Sequence, residues 1–243
     1  MPIVTCHFSL VSRHCFIELT FMAAVQPIYE PPRLIAIEGP LRVGKTSLAD
    51  LLARRLSAGR LRDVEDNPFL ERFYQGAPGA AFQAQFHFLW HRFKQWQSLD
   101  QASTPAHCVV SDYLFAKDKI FAYLNLADEE LELYEHYYEL FAEQVPIPDL
   151  VIYLQAKPGT LKGRIVKKSV PSEQAISDEY LKEVIQAYEH FFFHYKETDL
   201  LVVETSRIDF IAREDDLEEL LHRIRQPVKG TEYFLPLGSA PAD

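Results

Sequence analysis

The stretch Leu34-Ile35-Ala36-Ile37-Glu38-Gly39-Pro40-Leu41-Arg42-Val43-Gly44-Lys45-Thr46-Ser47-Leu48 restricts the fold more than any other part of the chain. An apolar run suited to a buried strand enters a glycine-bounded loop and then a helix whose apolar positions recur at Leu48, Leu51, Leu52 and Leu56. Gly39 to Thr46 match G-x-x-x-x-G-K-[ST], in which loop amides and the following helix N-terminus surround a polyphosphate. In that reading Gly39, Pro40, Leu41, Arg42, Val43, Gly44 and Ser47 build the cradle. Lys45 reaches the outer phosphates and Thr46 ligates magnesium. The bland rival is a strand-to-helix turn with an exposed lysine, and the strand before and helix after the loop weigh against it.

At 243 residues and 48% hydrophobic content, the chain has room for one α/β domain with a full core. A formal net charge of -10 argues against nucleic acid or an anionic membrane as partner, so an anionic ligand must be met by a local cluster of positive groups. Cys6, Cys15 and Cys108 lack metal-ligand spacing, which points to a reducing, cytoplasmic compartment. Residues 1–30 carry apolar Phe16, Ile17, Leu19 and Phe21, but Arg13, His14 and Glu18 break the run before it spans a bilayer. They read as an N-terminal extension, either a disordered tail or a stretch preceding a true start at Met22. Residues 31–243 read as a single domain.

Further along, a short strand near Arg60-Leu61-Arg62 runs into an acidic turn, Asp63 to Asn67-Pro68. One of Asp63, Glu65 and Asp66 suits a general base, because a hydroxyl attacking phosphorus must shed a proton. The spacing predicts a helix over 79–99 with Phe82, Phe86, Leu89, Phe93 and Trp96 as its core stripe. Gln85, Phe88 and Arg92 share another face, where a carboxamide, an aromatic plane and a guanidinium can engage a nucleobase edge. His107 to Ser111 reads as a buried strand ending at Asp112, near the phosphate loop and able to hold magnesium directly or through water. Asp118 begins a helix, as cap or as ligand.

Residues 129–141 form a helix for packing or a subunit interface. Pro148 to Leu154 is a strand, followed by a helix from Pro158 to about Arg164-Ile165. The polar, basic segment Val166 to Gln174 suits a mobile cover over a nucleotide. A helix over 178–195, a strand Leu200 to Glu204, a loop with Asp209 and Phe210 and a helix over 215–225 complete the alternation. The tail from Pro227 is uninformative. The pattern predicts an α/β fold of the phosphate-loop NTPase type: a five-stranded parallel sheet with helices on both faces and a helical lid.

From Leu34 to about Arg225 the sequence resembles the deoxynucleoside kinase family, close to its bacterial deoxyadenosine and deoxyguanosine kinase members. The resemblance rests on the order of the phosphate loop, Asp66-Asn67-Pro68-Phe69-Leu70 with Phe73-Tyr74, Gln85 with Arg92, Ser111-Asp112-Tyr113, Asp118, Pro148 to Leu154, and Glu173-Gln174. It implies transfer of the ATP γ-phosphate to the 5'-hydroxyl of a deoxynucleoside, with Mg2+, by a homodimer. It implies Asp63 as general base, with a one-residue shift falling on Arg62. Gln85, Arg92 and Asp118 would hold the base edge, Tyr74 and Glu173 the 3'-hydroxyl, Asp112 the metal, and Asp209-Phe210 the adenine of ATP. Amino-bearing bases, purines or cytosine, suit the Gln, Arg and Asp set.

The sequence departs from the family pattern at Tyr113, where an Arg is usual, and at Lys168 and Val170 in the cover segment, where several Arg are usual. Arg164 is retained, and Arg42 stands where a small residue is common. Lys45, Arg164 and Lys168 are thus the candidate cations for the transferring phosphoryl. Two other readings stay open on these departures: a nucleotide-binding protein of this fold with weakened or lost turnover, and a nucleoside monophosphate kinase.

Overall fold

The computed structural model describes residues 32–99, 108–168 and 176–236. Its elements are β1 (Leu34–Glu38), α1 (Lys45–Leu56), β2 (Gly59–Leu61), α2 (Leu70–Tyr74), α3 (Ala80–Ser98), β3 (Val109–Ser111), α4 (Lys117–Asn125), α5 (Asp128–Ala142), β4 (Leu150–Gln155), α6 (Pro158–Lys168), α7 (Asp178–His194), β5 (Asp199–Glu204), α8 (Glu214–Ile224) and β6 (Thr231–Phe234). The expectations for residues 1–30, for Glu173 and Val170, and for most of the cover segment lie outside the described residues.

The sheet is parallel throughout, in the order β2-β3-β1-β4-β5-β6. It has six strands where five were expected. The extra one, β6, lies in the tail that looked uninformative, because an edge strand alternating exposed and half-buried residues lacks the continuous apolar run of an inner strand. The short α2 was also unforeseen, since five residues show no helical period. At the other end of expectation, α6 runs three residues past Ile165, to Lys168.

Register explains how the helices come to cover both faces. Side chains alternate along a strand, and Ile35 pairs with Leu150, Ile37 with Ile152, and Ile152 with Leu201. These residues share a core cluster with Leu48 and Leu52 of α1 and Leu217, Leu220 and Leu221 of α8. The alternate residues Ala36, Val151, Tyr153, Leu200 and Val202 pack instead with Ile120 of α4 and Tyr188 and Phe192 of α7. A third cluster joins α3, α4 and α5 through Leu89, Phe93, Trp96, Ala122, Tyr134 and Tyr138.

Strand β1 sits where the winding reverses. Its own connection leads through α1 toward β2, whereas the connection from its neighbour β3 leads toward β4. In open α/β sheets the crevice beyond the strand C-termini at such a point receives ligands. Glu38 ends β1 there, with Gly39 next in the chain, and Asp112 follows β3.

Candidate active site

Two glycines explain the shape of the loop between β1 and α1. Gly39 has φ 150°, and a Cβ there would collide with the carbonyl oxygen of Leu154 on β4. Gly44 caps α1 in the left-handed region at φ 114°, and a Cβ there would lie 2.8 Å from Cζ of Phe210. Phe210 is therefore a buried wedge beneath the loop, while Asp209 Oδ1 accepts from the amides of Ile211 and Ala212 and shapes the turn before α8. The Asp209-Phe210 turn thus meets the phosphate loop, although Phe210 offers its ring to Gly44 and to the core. Thr46 and Ser47 stand in the first turn of α1, where N–H groups lack intrahelical partners.

Lys45 folds back over its own loop. Its Nζ donates to the carbonyl oxygens of Gly39 (2.6 Å) and Pro40 (3.2 Å), and burial holds its pKa below the ordinary lysine value. It also lies 4.0 Å from Oε1 of Glu38. Glu38 is fully buried: Oε1 accepts from Gly39 N and Tyr188 OH, and Oε2 accepts from Leu114 N at 2.9 Å. On the far side of that carboxylate, Nζ of Lys117 stands 3.9 Å from Oε2.

From Lys117 the charges continue. Its ammonium donates to Asp63 Oδ2, and Asp63 accepts from Arg92 through Nε at 2.7 Å and Nη2 at 3.2 Å. Arg92 Nη1 then donates to Asp118 Oδ1. Lys45, Glu38, Lys117, Asp63, Arg92 and Asp118 form a row of alternating sign, drawn from β1, α1, the β2–α2 loop, α3 and α4. Tertiary folding alone assembles it.

The row sets its own proton affinities. Burial would raise Asp63, but Arg92 and Lys117 outweigh it and hold the carboxyl well below the usual range. Burial lowers Arg92, yet Asp118 and Asp63 more than reverse this, so the guanidinium stays charged. Asp118 differs: wholly buried, with one oxygen lacking any protein partner, it is pushed up to about 6 by desolvation against the pull of Arg92.

The other expected residues fall around this row. Gln85 and Arg92 are buried on α3, and the Arg92 guanidinium lies 4.8 Å from the Phe88 ring centroid, so these three share a face. Asn67 ties the acidic turn to α3 through Nδ2 to Ala84 O at 2.9 Å and accepts from Phe69 N. Arg62, the alternative register for the base, is 70% exposed, whereas the neighbouring Asp63 turns inward. Tyr74 is exposed at the end of α2, beside Phe73.

Two of the expected residues are engaged differently than expected. Asp112, expected to hold magnesium directly or through water, has Oδ2 accepting from Arg60 at 2.7 Å and Oδ1 from the Asp63 amide at 2.5 Å, so direct coordination would have to displace a donor. Arg164 was expected to face phosphate. It instead donates to the carbonyl oxygens of Val43 (3.0 Å) and Thr205 (3.1 Å), pinning the phosphate loop to the end of β5. Lys168 is exposed at the last turn of α6. Among the described residues no group of three or more His, Cys, Asp or Glu could hold a metal ion, and no helix is long and apolar enough to cross a membrane.

Glu38 and Lys117 went unassigned in the sequence. A glutamate ending an apolar strand is a signal, because a carboxylate is rarely buried without purpose. A lysine in the first turn of a helix is another, since it opposes the helix dipole.

Residues 35–229 match the family model described as deoxynucleoside kinase. The chain is 34% identical over 198 residues to the deoxyguanosine kinase of Bacillus subtilis (strain 168), covering 79% of this chain and 96% of that protein. It is 27% identical over 199 residues to the deoxyadenosine/deoxycytidine kinase of the same organism, covering 79% and 91%. The fold is similar to that of a solved deoxyadenosine kinase from M. mycoides with bound dATP, at a TM-score of 0.66 and 22% identity, covering 79% of this chain and 100% of that one.

Proposed function

The chain belongs to the deoxynucleoside kinase family, and from that premise we propose that its row of alternating charges serves transfer of the ATP γ-phosphoryl group to the 5'-hydroxyl of a deoxynucleoside. It is a phosphotransferase that phosphorylates deoxynucleosides, a reaction of nucleotide salvage. One observation carries the assignment of the site: the row runs unbroken from Lys45 on the phosphate loop to Asp118 beside the Gln85 face. Such a row spans the distance between a phosphate donor and a nucleoside acceptor while leaving no buried charge uncompensated.

In this reading the amides of Gly44 to Ser47 and the Lys45 ammonium hold the ATP phosphates. Arg164 keeps that loop in place, with Lys168 near the nucleotide from the end of α6, and the Asp209-Phe210 turn borders the adenine. Thr46 would hold Mg2+ together with phosphate oxygens and water, and Asp112 would reach it through water, since its oxygens already have donors. Bound there, the ion would neutralise charge on the bridging phosphates.

Asp63 takes the proton from the 5'-hydroxyl as the oxygen–phosphorus bond forms and the bond to the ADP leaving group breaks. A weakly basic carboxylate suits a late proton transfer, because the transition state of phosphoryl transfer is loose. The unpartnered oxygen of Asp118 accepts from an exocyclic amino group, and Gln85 and Arg92 read the remaining base edge over the Phe88 ring. Tyr74 and Glu173 hold the 3'-hydroxyl. Purine deoxynucleosides or deoxycytidine are the preferred acceptors.

The exposed Trp90, Leu133, Tyr137 and Leu140 on α3 and α5 suit pairing with a second copy, and the free Cys108 thiol suits a cytoplasmic setting. A coupled assay of ADP release with each deoxynucleoside tests the reading. Turnover with amino-bearing bases is expected. Turnover with none, or with a nucleoside monophosphate instead, would overturn it.

A further inference from the structure

Asp63 is saturated as found. Oδ1 accepts from Arg92 Nε and from the Val64 amide at 2.8 Å, and Oδ2 accepts from Arg92 Nη2 and Lys117 Nζ. A carboxylate offers about four lone-pair sites, so an incoming hydroxyl reaches this one only by replacing a donor. Arg92 is held at both ends, by Asp63 and by Asp118, and the Val64 amide is fixed by the chain. Lys117 is the donor with somewhere to go.

A second carboxylate lies within its reach. The ammonium already lies 3.9 Å from Glu38, and Lys45 Nζ stands 4.0 Å from the same carboxylate on its other oxygen. One buried anion therefore separates Lys117 from the phosphate-loop lysine. The Tyr113 ring centroid lies 5.9 Å from Lys117 Nζ, where the electron-rich face tolerates the ammonium. Three nearby arginines are committed: Arg164 to two backbone carbonyls, Arg60 to Asp50 and Asp112, and Arg92 as described. Lysine suits the task, being a compact charge on a flexible stem with three rotatable donors.

We propose that Lys117 exchanges partners during the reaction: it caps Asp63 when no acceptor is present, yields that lone pair to the 5'-hydroxyl, and turns its ammonium toward the transferring phosphoryl group beside Glu38. The exchange removes a competitor from Asp63 and delivers a positive charge where negative charge is developing, in one side-chain movement. No proton leaves Lys117 in this step; the hydroxyl proton goes to Asp63, the new bond forms from the 5'-oxygen to phosphorus, and the bond to the ADP oxygen breaks. The inference rests on the kinase reading above.

The test is steady-state kinetics of the full chain and of Lys117→Met. Loss of a charge that acts on the reacting group lowers kcat on the order of 10²- to 10³-fold. The KM for the deoxynucleoside stays level or falls, because the competitor for Asp63 is gone. A merely structural lysine would raise KM or leave both constants near their starting values, and either result overturns the proposal. Lys117→Arg keeps the charge and is expected to recover at least tenfold of the lost kcat. Should Lys117→Met not fold, Asp63→Asn/Lys117→Gln, which removes both opposed charges, is compared with Asp63→Asn alone. A further drop of tenfold or more in kcat supports the exchange, and equal kcat refutes it. An inactive wild type would fell the kinase reading itself, whereas an active wild type with an unaffected Lys117→Met fells only the role of Lys117.

Discussion

Replacing Asp118 by Asn tests how the buried row handles charge. Asp118 is wholly buried, donates to nothing, accepts from Arg92 through one oxygen and leaves the other without a protein partner. Its carboxyl sits at about 6 against an ordinary value of 3.8, so the folded chain binds this proton more tightly than the unfolded chain does. The group's contribution is therefore most favourable below the unfolded value and is lost as pH rises through the folded one. A shift of about two units corresponds to about 3 kcal/mol. Asn is nearly isosteric and cannot ionise, so it lacks that pH dependence. Urea unfolding of both proteins at intervals from pH 4.5 to 7.5 reads the effect. The difference in unfolding free energy, wild type minus Asp118→Asn, should fall steadily across that window by about 2 kcal/mol, most of the linkage. A difference that stays flat would refute the argument that burial outweighs Arg92 at this carboxyl. The same variant turns an amide N–H₂ group toward the base, so kcat/KM for amino-bearing deoxynucleosides should fall on the order of 10²-fold, the worth of a lost charged hydrogen bond.

Arg92→Leu leaves two carboxylates buried without their shared cation, and unfolding measurements should show a loss of about 3–5 kcal/mol. Gly44→Ala places a methyl group 2.8 Å from Phe210 in a left-handed backbone; calorimetry should show ATP binding weakened at least tenfold, and Gly44→Ala/Phe210→Leu should recover part of it. Asn67→Ala frees the acidic turn from α3 by removing its bond to the Ala84 carbonyl, so stability should drop by about 1 kcal/mol and the KM for the deoxynucleoside should rise.

The phosphate loop was legible because its constraints are local: glycines where a side chain would collide or the backbone turns left-handed, then a helix start. Inner strands β1, β4 and β5 were legible as apolar runs, and their burial on both faces is what such runs mean. The edge strand β6 carries half-exposed residues and gives no such run. Gln85, Phe88 and Arg92 could be grouped from spacing because one helix holds all three. Glu38 and Lys117 could not be linked, since they lie far apart in sequence and meet only where β1 ends and α4 begins. The different settings of Asp63 and Arg62 were likewise not legible without the fold, which turns the first inward at 21% exposure and leaves the second 70% exposed.

With Asp118 ionised, the six side chains from Lys45 to Asp118 sum to zero. A neutral string of this kind needs no outside counter-ion, but an uncharged residue at Glu38 or Arg92 leaves Lys45 or Asp118 without its opposite charge. Variation in base selectivity along a lineage carrying this string should then arrive as coordinated pairs of substitutions. Engineers who wish to retune the acceptor should move two neighbouring positions together.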